Sequence, residues 1–156
     1  MASLIRGLLV GAAAGAAGTT ALNMATYIDM VVRARAASST PETSVERLAD
    51  AAGVTIPGDE EERANRVAGL GPLLGIASGL GVGALVGLAR AAGARPGPVL
   101  GTLLTTGLVL VASNAPMTVL KVTDPRTWSV TDWVSDVLPH LAYAAVVQAT
   151  LDAFDR

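Results

Sequence analysis

The chain of 156 residues carries 11 Lys+Arg against 13 Asp+Glu, no Cys, 51% hydrophobic residues and a mean hydropathy of +0.52. Its 15% charged residues fall well below the roughly 25% of soluble globular domains, which disfavours an ordinary soluble domain, a disordered chain and a disulfide-stapled secreted module. A formal charge of −2 leaves no basic surface for nucleic acid, and the lack of Cys removes disulfides, thiol redox motifs and thiolate metal ligands.

Four stretches reach the roughly 20 apolar residues that cross a bilayer as a helix. They run over about 7–31, 67–89, 98–120 and 128–151; each is bracketed by charge and none contains Lys or Arg. None alternates in the manner of a β-barrel strand. The expected fold is therefore all-α, a four-transmembrane-helix bundle forming one membrane domain. Residues 1–18 also fit a signal peptide, but the apolar stretch continues to Val32, longer than an ordinary signal core, so a retained helix is expected. Between the first two spans lies a loop of about 35 residues, 32–66. Within it Ser39 or Thr40 reads as an N-cap and Pro41 as a first-turn residue. Val45, Leu48, Ala49 and Ala52 form one apolar stripe and Gly53 a stop, together a short amphipathic helix. Asp59 and Glu62 read as a capping box that launches the second span.

Glycine punctuates these spans at helical spacing. Gly71, Gly75, Gly79, Gly83 and Gly87 recur every four residues, and Gly7, Gly11 and Gly15 do the same in the first span. The third span offers Gly101 with Thr105. Such ridges let helix backbones approach closely where lipid supplies little hydrophobic force, so glycine-zipper packing is expected, within the bundle or between copies.

Ionisable groups inside a span cost about 2.5–3.5 kcal/mol at its centre and so turn toward protein. Asp132, Asp136 and His140 stand four residues apart on one face of the fourth span. Trp128 and Trp133 mark its interfacial end, His140 lies about 18 Å deeper than Trp128, and Pro139 removes one backbone donor. Asn23 and Asp29 in the first span and Ser113 and Asn114 in the third fall in the same half of the membrane. The polar intramembrane cluster expected is thus Asn23, Asp29, Asn114, Asp132, Asp136 and His140. Three readings stand: a structural cluster that fixes the bundle, a proton or cation path with His140 as the deep titratable group, or a metal site. The last is short of ligands. No P-loop, HExxH or Ser-His-Asp pattern is present, so no enzyme, metal or cofactor is expected.

Six basic residues (Arg33, Arg35, Arg63, Arg66, Lys121, Arg126) flank the side of the long loop and four (Arg6, Arg90, Arg95, Arg156) the other, which favours termini outside and the loop in the cytoplasm. Ten of the 11 basic residues are Arg, with Lys121 the one Lys, a composition of GC-rich bacterial genomes.

The stretches Gly15-Ala-Ala-Gly-Thr-Thr-Ala-Leu-Asn23, Ser38-Ser-Thr-Pro-Glu42 and Asp132-Trp-Val-Ser-Asp-Val-Leu-Pro-His-Leu-Ala-Tyr143 resemble uncharacterised four-span membrane proteins of actinobacteria over most of the chain. In outline alone the chain is similar to the YagU-type inner-membrane proteins, with Ala144 departing from the Gly expected after Tyr143. The YagU type is associated with tolerance of acid, which would suit a protonatable His140. The function expected is a non-enzymatic, structural or accessory protein of the bacterial cytoplasmic membrane. A polar cavity responsive to protons or cations belongs to that expectation; the alternative is a small oligomeric proton or cation transporter or channel. The expected partners are the bilayer and a second copy or a membrane complex.

Overall fold

A computed structural model describes residues 2–155 as five α-helices: α1 (Ala2–Arg33), α2 (Thr40–Ala52), α3 (Glu60–Ala91), α4 (Pro98–Val119) and α5 (Val130–Phe154), with a 3₁₀ turn at Pro125–Thr127. Four of them, α1, α3, α4 and α5, are long and apolar enough to cross a membrane. Gly-rich sequence of this kind makes poor helix in water. In hydrocarbon, however, an unpaired backbone amide costs more than the glycine's entropy, so the helix wins. Large apolar side chains such as Leu9, Ile28, Leu73, Leu103 and Val111 point outward, the arrangement expected where the surrounding solvent is lipid.

The loop-side ends of the helices are set by local signals. Asp59 caps α3, its side chain accepting from the Glu62 N–H at 2.9 Å. Glu62 does not complete a capping box; its carboxylate turns to Arg66, 3.5 Å away. The helix therefore begins at Glu60, seven residues before the apolar stretch at Val67, so its first two turns, about 10 Å, carry charge. Helix α2 lies antiparallel against this extension: Arg63 pairs with Glu46 at 2.8 Å, and Val45 and Val67 are buried. Gly53 ends α2 in the left-handed region (φ 66°), where its N–H and that of Val54 close onto Asp50 and Ala49 carbonyls.

The bundle is ordered α3–α1–α5–α4, with α4 touching α3 only lightly. Helices α1 and α3 run antiparallel with their backbones nearly touching. A Cβ at Gly83 would sit 2.5 Å from Gly15 Cα, one at Gly87 2.6 Å from Gly11 Cα, and one at Gly15 2.5 Å from the Gly79 carbonyl oxygen. The ridge is shorter than its spacing implies. A Cβ at Gly75 would meet no described residue, and Gly71 faces Pro41 and Glu42 of α2 instead of α1. Gly71 thus packs against α2, while Gly75 has open space where helix packing was expected. Both placements follow from helix geometry, since a four-residue step advances 400° and the ridge turns about 40° at each glycine, so one neighbour meets only three in succession. On the far side of α1, a Cβ at Gly18 would strike Tyr143 and Val147 of α5. Tyr143 is fully buried and donates its hydroxyl to the Gly79 carbonyl at 2.6 Å, tying α5 to α3 beside Thr19 of α1. Ala14, Val82, Val109, Ala144, Val147 and Leu151 complete this core.

This arrangement places the α1–α2 and α4–α5 connections on one side of the bundle and the α3–α4 connection on the other. Reporter fusions at Arg47 and at Arg95 should therefore report opposite sides of the membrane; the same side for both would break the four-span topology.

Candidate functional site

Helices α4 and α5 meet along polar and small residues over most of their length. On the long-loop side, His140 is held from two directions. Its Nδ1 lies 2.7 Å from the Asp136 carbonyl oxygen, and its Nε2 lies 3.3 Å from Ser113 Oγ on α4. The Asp136 carboxylate stands 3.5 Å from Nδ1 and accepts from Asn114 Nδ2 at 2.8 Å. The side chains of His140 and Asp136 are 12% and 19% exposed, so these bonds form largely out of contact with solvent. Asn114 Oδ1 is buried with no hydrogen-bond partner among the described residues. Spacing explains the set: Asp136 and His140 are one turn apart on α5, and Ser113 and Asn114 sit at the level of that turn on α4.

Of the six residues expected in one cluster, Asn114, Asp136 and His140 are brought together. Asp132 is not with them. It is exposed at the third position of α5, where its carboxylate accepts from the Ser129 N–H (2.9 Å) and hydroxyl (2.7 Å), while its own N–H donates to Ser129 Oγ. Its separation from the cluster is a capping effect: the free amides of a helix start claim the nearest carboxylate. Asp29 binds the guanidinium groups of Arg33 and Arg35, and Arg33 reaches across to Ser135 of α5, so this pair forms a rim at the mouth of the bundle. Asn23 is half-buried on α1 and makes no side-chain hydrogen bond among the described residues. Nearby, the Arg126 side chain and N–H hold the Asp124 carboxyl below the usual carboxylate range, fixing the turn into α5.

A second polar group occupies the opposite half. Gln148 is 7% exposed and satisfies its whole amide: it donates to Thr105 Oγ1 at 2.7 Å and to the Gly101 carbonyl at 3.3 Å, and accepts from Arg90 at 3.2 Å. Arg90 also binds Asp152 and, at 2.8 Å, Asp155, which Arg95 approaches as well. Gly101 has no side chain because the Gln148 amide lies 3.0 Å from where its Cβ would be. Gln148 and Asp152 were not among the residues expected to matter, although the four-residue spacing of Asp132, Asp136 and His140 reaches them through Ala144. Ser113, Val109, Thr105 and Gly101 carry the matching spacing on α4. Arg156, counted with the charges on this side, lies outside the described residues.

Between the two groups the seam is apolar. Ala144 has no exposed surface and Val109 only 4%. No group of three or more His, Cys, Asp or Glu among the described residues is placed to hold a metal ion. The chain matches no protein-family model, no curated protein and no solved structure.

Proposed function

We propose that this chain is a non-enzymatic accessory protein of the bacterial cytoplasmic membrane, whose α4–α5 contact is sensitive to protonation of His140. The observation that carries this reading is the hydrogen bonding of the imidazole. A carbonyl oxygen only accepts, so the short contact to Asp136 O assigns a hydrogen to Nδ1. Ser113 Oγ lies 3.3 Å from Nε2 and 3.2 Å from the Leu110 carbonyl. With His140 neutral, the hydroxyl donates to Nε2. With His140 charged, Nε2–H donates to the hydroxyl, which turns its own hydrogen to Leu110, while the Asp136 carboxylate offsets the charge. Protonation thus reverses the hydrogen bond that joins His140 to α4 and turns the Ser113 hydroxyl from Nε2 back to its own helix.

The buried apolar residues Val109 and Ala144 favour an accessory role over conduction, because among the described residues no side-chain hydrogen bond links the His140 group to the Gln148 group. The unpaired Asn114 Oδ1 supports the second reading, a proton or cation transporter, since it leaves one acceptor beside Asp136 free for a water or an ion. The interlocked glycines of α1 and α3 support a glycine zipper within the chain. The Arg-rich, Ala- and Gly-heavy composition supports a bacterial source of the actinobacterial four-span or YagU-like kind, and the excess of basic residues beside the long loop supports a cytoplasmic loop. The partners proposed are the bilayer and a membrane complex or second copy.

The test is thermal stability against pH for wild type and His140→Gln in detergent, with proton flux in liposomes. Wild type should show an unfolding midpoint that changes with pH, and no flux. His140→Gln should lose that dependence and about 1 kcal/mol of stability. An identical pH profile in both proteins would overturn the protonation reading, and a wild-type flux abolished in His140→Gln would establish the transporter.

A further inference from the structure

A groove runs along the loop-side end of α3. Its floor is apolar, made by Val54, Ile56, Leu70 and Leu73, and its outer end is closed by Asn65 and Arg66. The strand of loop that forms one wall is fixed by Arg66 itself, whose guanidinium donates to the Pro57 carbonyl. Gly69 opens the middle: a Cβ there would meet no described residue within 4 Å. Val54 and Leu73 are each 60% exposed, so the floor is uncovered by protein.

Two features identify what covers it. The first is depth. Arg66 is the last charged residue before the apolar run 67–89, so the groove straddles the membrane boundary, polar at Arg66 and apolar at Leu73, about 10 Å further along the helix. That is the polarity of a lipid lying along the bilayer normal, headgroup at the guanidinium and chain on the floor. The second is charge. Arg66 stands 3.5 Å from Glu62, and both side chains are half-exposed, 45% and 58%. The neighbouring Asp59, Glu60 and Glu61 make the surroundings acidic, while Arg63 is engaged by Glu46. A net anionic headgroup meets repulsion there. A headgroup with a phosphate and a primary amine meets a guanidinium for the first and a carboxylate for the second.

We propose that this groove binds one phospholipid with a zwitterionic, amine-bearing headgroup, phosphatidylethanolamine in chemical class. The Arg66 guanidinium takes the phosphate, Glu62 takes the ammonium, and Gly69 admits the acyl chain between Val54 and Leu73. The site is separate from the α4–α5 seam and stands whatever the fate of the His140 reading.

The experiment uses the full chain, delipidated in detergent and supplied in turn with phosphatidylethanolamine, phosphatidylcholine or phosphatidylglycerol. Lipid retention is followed by native mass spectrometry, oligomeric state by light scattering and stability by thermal unfolding. One phosphatidylethanolamine should be retained about tenfold more tightly than phosphatidylglycerol, with phosphatidylcholine between, because its quaternary ammonium lacks hydrogen-bond donors. Gly69→Leu sets its Cβ in open space and lays its side chain over the apolar floor, so it should keep or slightly raise the lipid-free unfolding midpoint and lose the bound lipid. Arg66→Gln breaks the wall contact as well as the phosphate contact. Glu62→Gln is therefore the sharper second variant: it should remove the preference for ethanolamine over choline while leaving the apolar floor intact. Equal or tighter retention of phosphatidylglycerol would overturn the proposal, as would unchanged retention in Gly69→Leu. A dimer in wild type that Gly69→Leu disperses would show a second copy as the occupant and overturn it too.

Discussion

Gly83→Leu is expected to prevent the bundle from forming a stable fold in detergent, with a loss of at least about 3 kcal/mol, the upper end of what overpacking costs. The first atom of the new side chain already fails to fit. A Cβ at Gly83 lies 2.5 Å from Gly15 Cα and 2.6 Å from Gly15 N, and Gly11 contributes its carbonyl to the same space. These are backbone atoms of a helix whose own hydrogen bonds cannot be released into lipid, so the strain has no cheap exit except separation of α1 from α3. Separation would also remove the Tyr143 hydroxyl from Gly79, because Gly79 lies one turn away on the same face. Gly75→Leu is the matched control. It inserts the same side chain two turns earlier in the same helix, where a Cβ meets no described residue, and should leave the unfolding midpoint unchanged or slightly raised. Thermal unfolding and gel filtration of the two variants decide the matter. If they behave alike, the glycine spacing does not hold this bundle together.

Gln148→Leu is expected to loosen α4 from the bundle and to cost about 2 kcal/mol, the sum of three intramembrane hydrogen bonds at roughly 0.6 kcal/mol each. Leucine keeps the volume, so the effect isolates the amide. That amide joins α5 to Thr105 and Gly101 of α4 and to Arg90 of α3, and α4 has few other attachments to α3. Its loss leaves the Thr105 hydroxyl, 3% exposed, without its donor and frees one arm of Arg90, although Asp152 and Asp155 retain the guanidinium. The chain has no cysteine, so a single Val109→Cys probe placed in the α4–α5 contact reports the separation directly. Maleimide labelling of that probe should be slow in the parent and faster with Gln148→Leu, alongside a lower unfolding midpoint. Unchanged labelling and midpoint would mean that packing at Val109 and Ala144 holds α4 without the clasp.

The sequence by itself determined the class of fold and the four helices long and apolar enough to cross a membrane, because a bilayer imposes a length of apolar helix that no other solvent demands. It also placed the ends of α2: Pro41 presets the first-turn dihedral and Gly53 takes the left-handed stop, each acting on its own few residues, while Ser39 stands at the N-cap position without a side-chain cap bond. Spacing placed Asp136 and His140 on one face for the same local reason. What only the tertiary structure decided is which part of each stripe meets which neighbour. A four-residue repeat winds around its helix, so the five-glycine ridge of α3 is divided between α1, open surroundings and α2 according to where those elements lie. The carboxylates are divided in the same way: Asp132 is taken by a helix start, Asp29 by two arginines and Asp136 by Asn114, because each accepts from the donors that the chain and the packing bring within reach. Gln148 and Arg90 are 58 residues apart in the chain, and no local pattern foretells their meeting. It follows from the close α1–α3 and α1–α5 contacts that bring the ends of α3 and α5 together.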